Sequence, residues 1–302
     1  MDRHGTLQAF VRTADLGSFA AAGRVLGLSA SAVGKSVVRL EHELGVRLFQ
    51  RSTRSIRLTE EGRLFHERCR RILDDLDDAW AIVAGAREAP RGKLRVSTPI
   101  VTYHLLMPML PEFTLLYPEI ELDLDFNDRL VDLIEEGVDV AIRSGDLPDS
   151  RLMSRVFCRY EHLLCAAPSY FARRGVPKRI RDLDGHCAIQ FRLPNSGKML
   201  DWPLVLGSGE AEPRLRTVFT CNNMEALRGA TLAGIGIGCM PDFIVRDLLQ
   251  SGALELVLPD HVNGAGLFHL LWPSNRQLSP KVRVFVDFMH ERLVNPQSRS
   301  TA

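Results

Sequence analysis

The 302 residues contain no apolar run approaching the roughly 18 residues that a membrane-crossing helix needs, and the Met1-Asp-Arg-His4 start lacks the apolar core of a secretory signal. A cytoplasmic protein with no membrane contact is expected. The six cysteines, at 69, 158, 165, 187, 221 and 239, form neither a CxxC pair nor a Cys/His metal spacing. They give no support for a metal site or a thiol redox switch. A run such as Leu163-Leu-Cys-Ala-Ala167 instead reads as apolar surroundings for a small hydrophobic thiol. Catalytic signatures are missing as well: there is no nucleophile elbow, no HExxH and no P-loop. Gly234-Ile-Gly-Ile-Gly238 lacks the GxGxxG spacing and reads as tight strand packing. His162, His186 and His269 stand alone and read as structural. No catalytic residue, no metal ligand and no cofactor is expected.

What is present is uneven charge. The formal net charge is only +1, yet residues 1–57 hold nine Lys/Arg against four Asp/Glu, which leaves about −4 for the remainder. The basic end suits an anionic partner. A length of 302 with 45% hydrophobic residues allows two or three domains with packed cores.

The basic end has the pattern of a winged helix-turn-helix. Residues 19–26 make a short helix, Gly27-Leu28 a turn, and Ser29 the N-cap of a second helix whose Val33, Val37, Leu40 and Leu44 form one apolar stripe. At about 100° per residue, Ser31, Gly34, Lys35, Val38 and His42 gather on the opposite side. That small, weakly charged face can enter a major groove, although an ordinary solvated face would look the same. Gly45 stops the helix, Leu48-Phe49 returns to the core, and Arg51, Arg54 and Arg57 alternate along a basic hairpin able to lie on phosphates or in a narrow minor groove. Residues 5–14 form a first helix with Leu7, Phe10, Val11 and Ala14 on one face.

The order and spacing of Leu7-Gln-Ala-Phe10, Gly17-Ser-Phe19-Ala-Ala-Ala22, Leu28-Ser-Ala-Ser-Ala-Val33, Arg39-Leu-Glu41, Leu44-Gly-Val-Arg-Leu-Phe49, Arg51 and Leu58-Thr-Glu-Glu-Gly62 resemble the LysR-type transcriptional regulators. The resemblance implies double-stranded DNA as a partner, with Ala30, Ser31, Gly34 and Lys35 on the recognition helix and Arg51 and Arg54 on the wing as DNA-binding residues. Many family members have Gln in place of Ala30 and Ser in place of Gly34, so two side-chain donors to base edges are missing. Readout should lean on Lys35, the wing and DNA shape.

Thr59 caps a long helix with Glu60 and Glu61 in its first turn, and Phe65, Cys69, Ile72, Leu76, Ala79 and Val83 then repeat at alternating four and three spacing. Such a seam can pack on its own chain, but Leu73 and Trp80 supply a second apolar line for that purpose. The resemblance makes the first line, Phe65, Ile72, Leu76 and Val83, the dimer seam of a linker helix. Two helix-turn-helix units then require a symmetric, two-part operator. The resemblance also implies pairing of dimers into a homotetramer, and it leaves room for RNA polymerase as a further partner.

Four segments are expected: a winged helix-turn-helix domain over 1–58, a dimerisation linker helix over 59–85, a hinge over 86–92 containing Pro90, and an effector-binding domain over 93–302. The last follows α/β grammar, with strands near 94–96, 120–126, 138–142, 156–166, 187–191, 215–220, 235–239 and 268–272 and helices near 105–117, 130–136, 223, 241 and 279–293. Two crossings give a two-subdomain clamshell resembling type 2 periplasmic binding proteins, with subdomain I over about 93–162 and 268–295 and subdomain II over about 163–267. Leu94-Arg-Val-Ser-Thr-Pro99, Ala141-Ile-Arg-Ser-Gly-Asp-Leu-Pro-Asp149 and Leu232-Ala-Gly-Ile-Gly-Ile237 extend the family resemblance.

Strand ends in open α/β sheets are where ligands bind. A small-molecule effector of unknown identity is therefore expected to meet Ser97, Thr98 and Thr102 after the first strand, Arg143 and Ser144 at another strand end, and Asn222 and Asn223 across the cleft. Each of these also fits an ordinary cap or turn. Two other readings stand beside a ligand-sensing regulator: an α/β enzyme tethered to DNA, and an architectural DNA binder without a ligand.

Overall fold

The computed structural model describes residues 3–51, 56–84, 89–128, 133, 136–145, 152–274 and 278–294, and it divides into two compact units, Met1–Glu88 and Ala89–Ala302. In the first unit, helices α1 (Arg3–Leu16), α2 (Phe19–Leu26) and α3 (Ala30–Leu44) precede a two-stranded hairpin, β1 (Phe49–Arg51) and β2 (Ile56–Leu58), and the long helix α4 (Glu60–Ala84). Caps set the helix boundaries. The Ser18 and Ser29 hydroxyls accept from the amides of Ala21 and Ala32, and Gly27 and Gly45 end α2 and α3 in the left-handed conformation. The hairpin pairs antiparallel in the register Phe49 with Leu58 and Arg51 with Ile56.

Phe10 is fully buried at the centre of this unit, 5.4 Å from the rings of both Phe49 and Phe65. Such burial stabilises by about 1.5–3 kcal/mol. Two apolar stripes differ from expectation. On α3 the buried stripe ends at Leu40, and Leu44 is exposed. The reason is Glu41, whose Oε1 accepts from the amides of Leu48 and Phe49 at 2.9 and 3.1 Å and turns the chain into the hairpin before Leu44 finds a core. On α4, Phe65 packs against the core formed by Phe10, Val37, Leu40 and Phe49, in which Cys69 is itself buried. Phe65 is thus spent on its own chain rather than free for a dimer seam. Beyond the reach of that core the seam surfaces, with Ile72 55% and Leu76 37% exposed. Of the second line, Leu73 packs inward, whereas Trp80, expected to pack on its own chain, is 70% exposed because the core ends before it. The side chain of Val83 lies outside the described residues, as do residue 85 at the end of the expected linker helix and residues 86–88 of the expected hinge.

The start of α4 is fixed by Thr59, whose hydroxyl accepts from the Gly62 amide and donates to the Arg47 carbonyl. Gly62 has no room for a side chain, because a Cβ there would lie 2.0 Å from the Leu48 carbonyl oxygen.

The second unit holds β3 (Gly92–Thr98), α5 (Tyr103–Leu106), α6 (Leu110–Leu116), β4 (Ile120–Phe126), β5 (Val140–Ser144), β6 (Leu152–Ala166), α7 (Pro168–Arg174), β7 (Cys187–Phe191), β8 (Arg216–Cys221), α8 (Met224–Leu232), β9 (Ile237–Pro241), α9 (Arg246–Gln250), β10 (Glu255–Leu256), β11 (Ala265–Pro273) and α10 (Pro280–Val294). The helix expected over 130–136 falls mostly outside the described residues.

Strand order is β4-β3-β5-β11-β6-β9-β7-β8, with β10 added to the end of β6. Strand β3 runs parallel to β4 and β5, and β7 runs parallel to β8 and β9, so each half keeps the α/β pattern. Strands β6 and β11 cross between the halves. Residues 152–161 of β6 pair with β11 in the first half, and His162 to Cys165 pair with β9 in the second. Since β11 begins pairing at Ala265, the return crossing precedes 268 by three residues. The run Gly234 to Gly238 packs tightly: a Cβ on Gly236 would meet the Cys187 carbonyl oxygen at 2.6 Å, and one on Gly238 the Thr231 hydroxyl at 2.4 Å. Among the described residues no helix is long and apolar enough to cross a membrane.

Candidate nucleic-acid interface and ligand cleft

Helix α3 has an inner face of Val33, Val37 and Leu40, all buried, and an outer face open to solvent. Ala30, Ser31 and Lys35 are exposed there, and Gly34 is partly exposed beside them. A Cβ on Gly34 would meet nothing within 4 Å, so its missing side chain is not required by packing. The same face carries Val38, Arg39 and His42 around a shallow open depression. Arg39 was legible only as a family residue, although its position four after Lys35 puts it on the same side. Val38 is an exposed apolar side chain among polar ones, suited in shape to a thymine methyl. The backbone of Arg51 lies in β1, while its side chain and all of Arg54 lie outside the described residues.

The second unit contains a cleft of about 280 Å³. Its walls come from the C-terminal ends of strands in both halves: Pro99 and Val101 after β3, Asn127 and Asp128 after β4, Arg143 and Ser144 of β5, Phe191, Leu193 and Asn195 around the end of β7, Met224 after β8 and Pro241 of β9. Tyr160, His162 and Phe268 on the crossing strands form its floor.

Of the seven effector-contact residues expected from sequence, Arg143 and Ser144 line this cleft. Ser97, Thr98 and Thr102 are buried and bonded internally. The Ser97 hydroxyl accepts from Arg143 Nη2 at 2.8 Å, the Thr98 and Thr102 hydroxyls bond each other, and Thr102 also donates to the Pro99 carbonyl. Asn223 is the N-cap of α8, its Oδ1 accepting from the Ala226 amide at 2.9 Å, and the exposed Asn222 lies outside the lining. The polarity of Ser97, Thr98, Thr102 and Asn223 is used by the chain itself, so strand-end position alone does not bring a polar side chain into the cleft.

Asp128, Tyr160 and His162 were missed. Asp128 Oδ1 accepts from the Ile100 amide at 3.0 Å, at the start of the turn after β3. Burial pushes the Asp128 carboxyl up, partly offset by that hydrogen bond and by Arg143. Arg143 donates to the Ser97 and Ile142 carbonyls at 3.1 and 2.7 Å. Burial pushes its guanidinium down, and Asp125, Asp128 and Glu136 push it back up. Burial also depresses the His162 imidazole, with its Nδ1 3.2 Å from the Gly264 carbonyl oxygen, so it is neutral near pH 7. The two halves are further tied by Glu225 of α8, which accepts from the Tyr103 hydroxyl and lies 2.9 Å from His104 Nε2.

Among the described residues no group of three or more His, Cys, Asp or Glu is placed to hold a metal ion.

Residues 4–63 match the family described as bacterial regulatory helix-turn-helix protein, lysR family, and residues 87–294 match the LysR substrate binding domain. The HTH-type transcriptional regulator CrgA of Neisseria meningitidis serogroup C is 35% identical over 291 residues, covering 96% of each chain. An HTH-type transcriptional regulator of Xanthomonas campestris pv. campestris is 37% identical over 289 residues, 94% of this chain and 83% of that one. Among solved structures, CrgA of Neisseria meningitidis, a LysR-type transcriptional regulator, superposes with a TM-score of 0.64 at 34% identity, covering 96% of this chain and 99% of that one. The full-length Vibrio cholerae virulence activator AphB superposes with a TM-score of 0.59 at 27% identity, covering 95% and 98%.

Proposed function

The chain belongs to the LysR family of transcriptional regulators, with an N-terminal helix-turn-helix domain and a C-terminal substrate-binding domain, and from this we propose how it acts. It binds a two-part operator in the cytoplasm as a homodimer or a pair of homodimers. Ala30, Ser31, Gly34 and Lys35 of α3 enter the major groove, and Arg51 and Arg54 hold the flanking backbone or minor groove. The exposed Ile72 and Leu76 of α4, together with the Val83 position of the same sequence repeat, join two chains so that their recognition helices meet two half-sites. A small molecule in the C-terminal cleft contacts Arg143 and Ser144 and shifts the balance between open and closed lobes, and the 86–92 hinge passes that change to the DNA-binding pair. RNA polymerase is a further partner in this scheme.

The observation that carries this reading is the outer face of α3, where small residues and a lysine stand open on a helix whose other side is fully committed to a core. Family membership weighs against the enzyme reading, since the relatives named above are transcriptional regulators.

Footprinting of the full-length protein on the DNA flanking its gene tests the scheme. Two protected half-sites on one face of the duplex, about one helical turn or a multiple apart, are expected. A single protected half-site at saturation counts against the oligomeric part.

A further inference from the structure

We infer that the cleft selects an uncharged ligand with an apolar body and one or two hydrogen-bonding groups, and that Asp128 is the residue that excludes carboxylates. This rests on the reading of the cleft as the effector site.

An anion entering a cleft at strand ends ordinarily finds two things: unpaired amides at the start of the following turn, and a cationic side chain. Both are already engaged here. The Ile100 amide donates to Asp128 Oδ1 at 3.0 Å, so a carboxylate of the chain itself occupies that position. The Arg143 guanidinium is turned onto the Ser97 carbonyl, the Ser97 hydroxyl and the Ile142 carbonyl. It is also surrounded by the negative charges of Asp125, Asp128 and Glu136.

Within the described lining, Asp128 and Arg143 are the charged residues, one of each sign, and His162 is neutral near pH 7. The Asp128 and Arg143 charges offset each other, so a ligand ion of either sign would be desolvated without a net counter-charge from the lining, which is costly in a partly enclosed site. Anions fare worse, because Asp125 and Glu136 add further negative charge around Arg143. The remaining surface is mostly apolar, with Phe191, Leu200, Met224 and Phe268 facing a volume at the small end of ligand pockets. Ser144 and Tyr160, which share a hydrogen bond, offer neutral partners for an amide, alcohol or phenol group.

The test is calorimetric titration of the full-length protein with three isosteric probes: benzamide, benzoate and benzylamine. Benzamide should bind wild type at least about tenfold more tightly than benzoate, about 1.4 kcal/mol, and more tightly than benzylamine. Asp128→Asn and, independently, Asp128→Ser should narrow the amide-to-acid gap by raising benzoate affinity, since either removes one of the negative charges that face Arg143. Benzoate binding as tight as benzamide in wild type, or a gap unchanged in both folded variants, would overturn the inference. Met224→Trp should fill the cleft and abolish benzamide binding. Binding that survives this change overturns the placement of the effector site, and so does failure of all three probes on wild type. Those outcomes are distinct from a reversed charge preference.

Discussion

Burial pushes the thiols of Cys158, Cys165 and Cys239 up to about 12 and that of Cys69 up to about 11. The thiolate is the reactive form, so these four side chains are chemically quiet at neutral pH. Native alkylation followed by peptide mass analysis should modify the half-buried Cys221 before any of the four; prompt labelling of Cys165 or Cys239 would contradict the packing. The same shifts have a pH consequence. Below the ordinary thiol range the folded and unfolded chains hold the same thiol protons. Above it the unfolded chain releases protons that the folded chain keeps, so stability falls as pH rises beyond about 9. At this scale sequence reading was weakest. That Cys residues sit among apolar neighbours was visible, whereas the use of Thr98 and Thr102 by each other, or of Asn223 as a cap, was not. Capping types and ligand-binding types are the same residues, and only their partners tell them apart. Glu41 belongs here too, because two amides seven and eight residues away define its role and no local pattern announces them.

Caps, periodicity and turn residues made the elements far more legible. The 19–26 and 120–126 segments match α2 and β4 end for end, because Ser18 with Gly27 brackets one and strict alternation marks the other. The long helix was recognisable from its repeat, but the division of its apolar stripe was not, since the depth of the domain beneath it is a tertiary quantity. Phe65 packs inward, while Ile72 and Leu76 emerge. Opposite mutational outcomes follow. Ile72→Asp should leave the thermal midpoint of the DNA-binding unit near wild type and abolish dimerisation in sedimentation. Phe65→Asp should lower the thermal midpoint of that unit, because it sets a charge against the Phe10 ring and the core around it at a partly buried position. If Ile72→Asp remains dimeric through this helix, the seam lies elsewhere. Gly62 gives a second test at the same scale. Alanine in a helix is ordinarily better than glycine by about 1 kcal/mol, yet here its Cβ would collide with the Leu48 carbonyl. Gly62→Ala should therefore destabilise, by roughly 1–3 kcal/mol, as measured by chemical denaturation. A stabilising effect would show that the approach of α4 to the hairpin is looser than described.

Across the whole molecule, the two-half sheet with two crossing strands was visible in the order of strands and helices, and so was a cleft at their C-terminal ends. Its lining was not, because Asp128, Tyr160 and His162 come from separate segments that meet only after β6 and β11 have crossed. Glu225 ties the halves through Tyr103 and His104, so Glu225→Ala should weaken the coupling between ligand and operator affinity, read as a smaller change in operator affinity on adding ligand. The central claim is that α3 and the wing read DNA with divided roles. The most direct measurement is a set of operator-binding isotherms at several salt concentrations for wild type, Lys35→Ala and Arg54→Ala. Lys35→Ala should relax sequence preference by about 1–3 kcal/mol, and Arg54→Ala should chiefly lower the salt slope, by about one. Wild-type affinity and preference in both variants at every salt concentration would contradict the account.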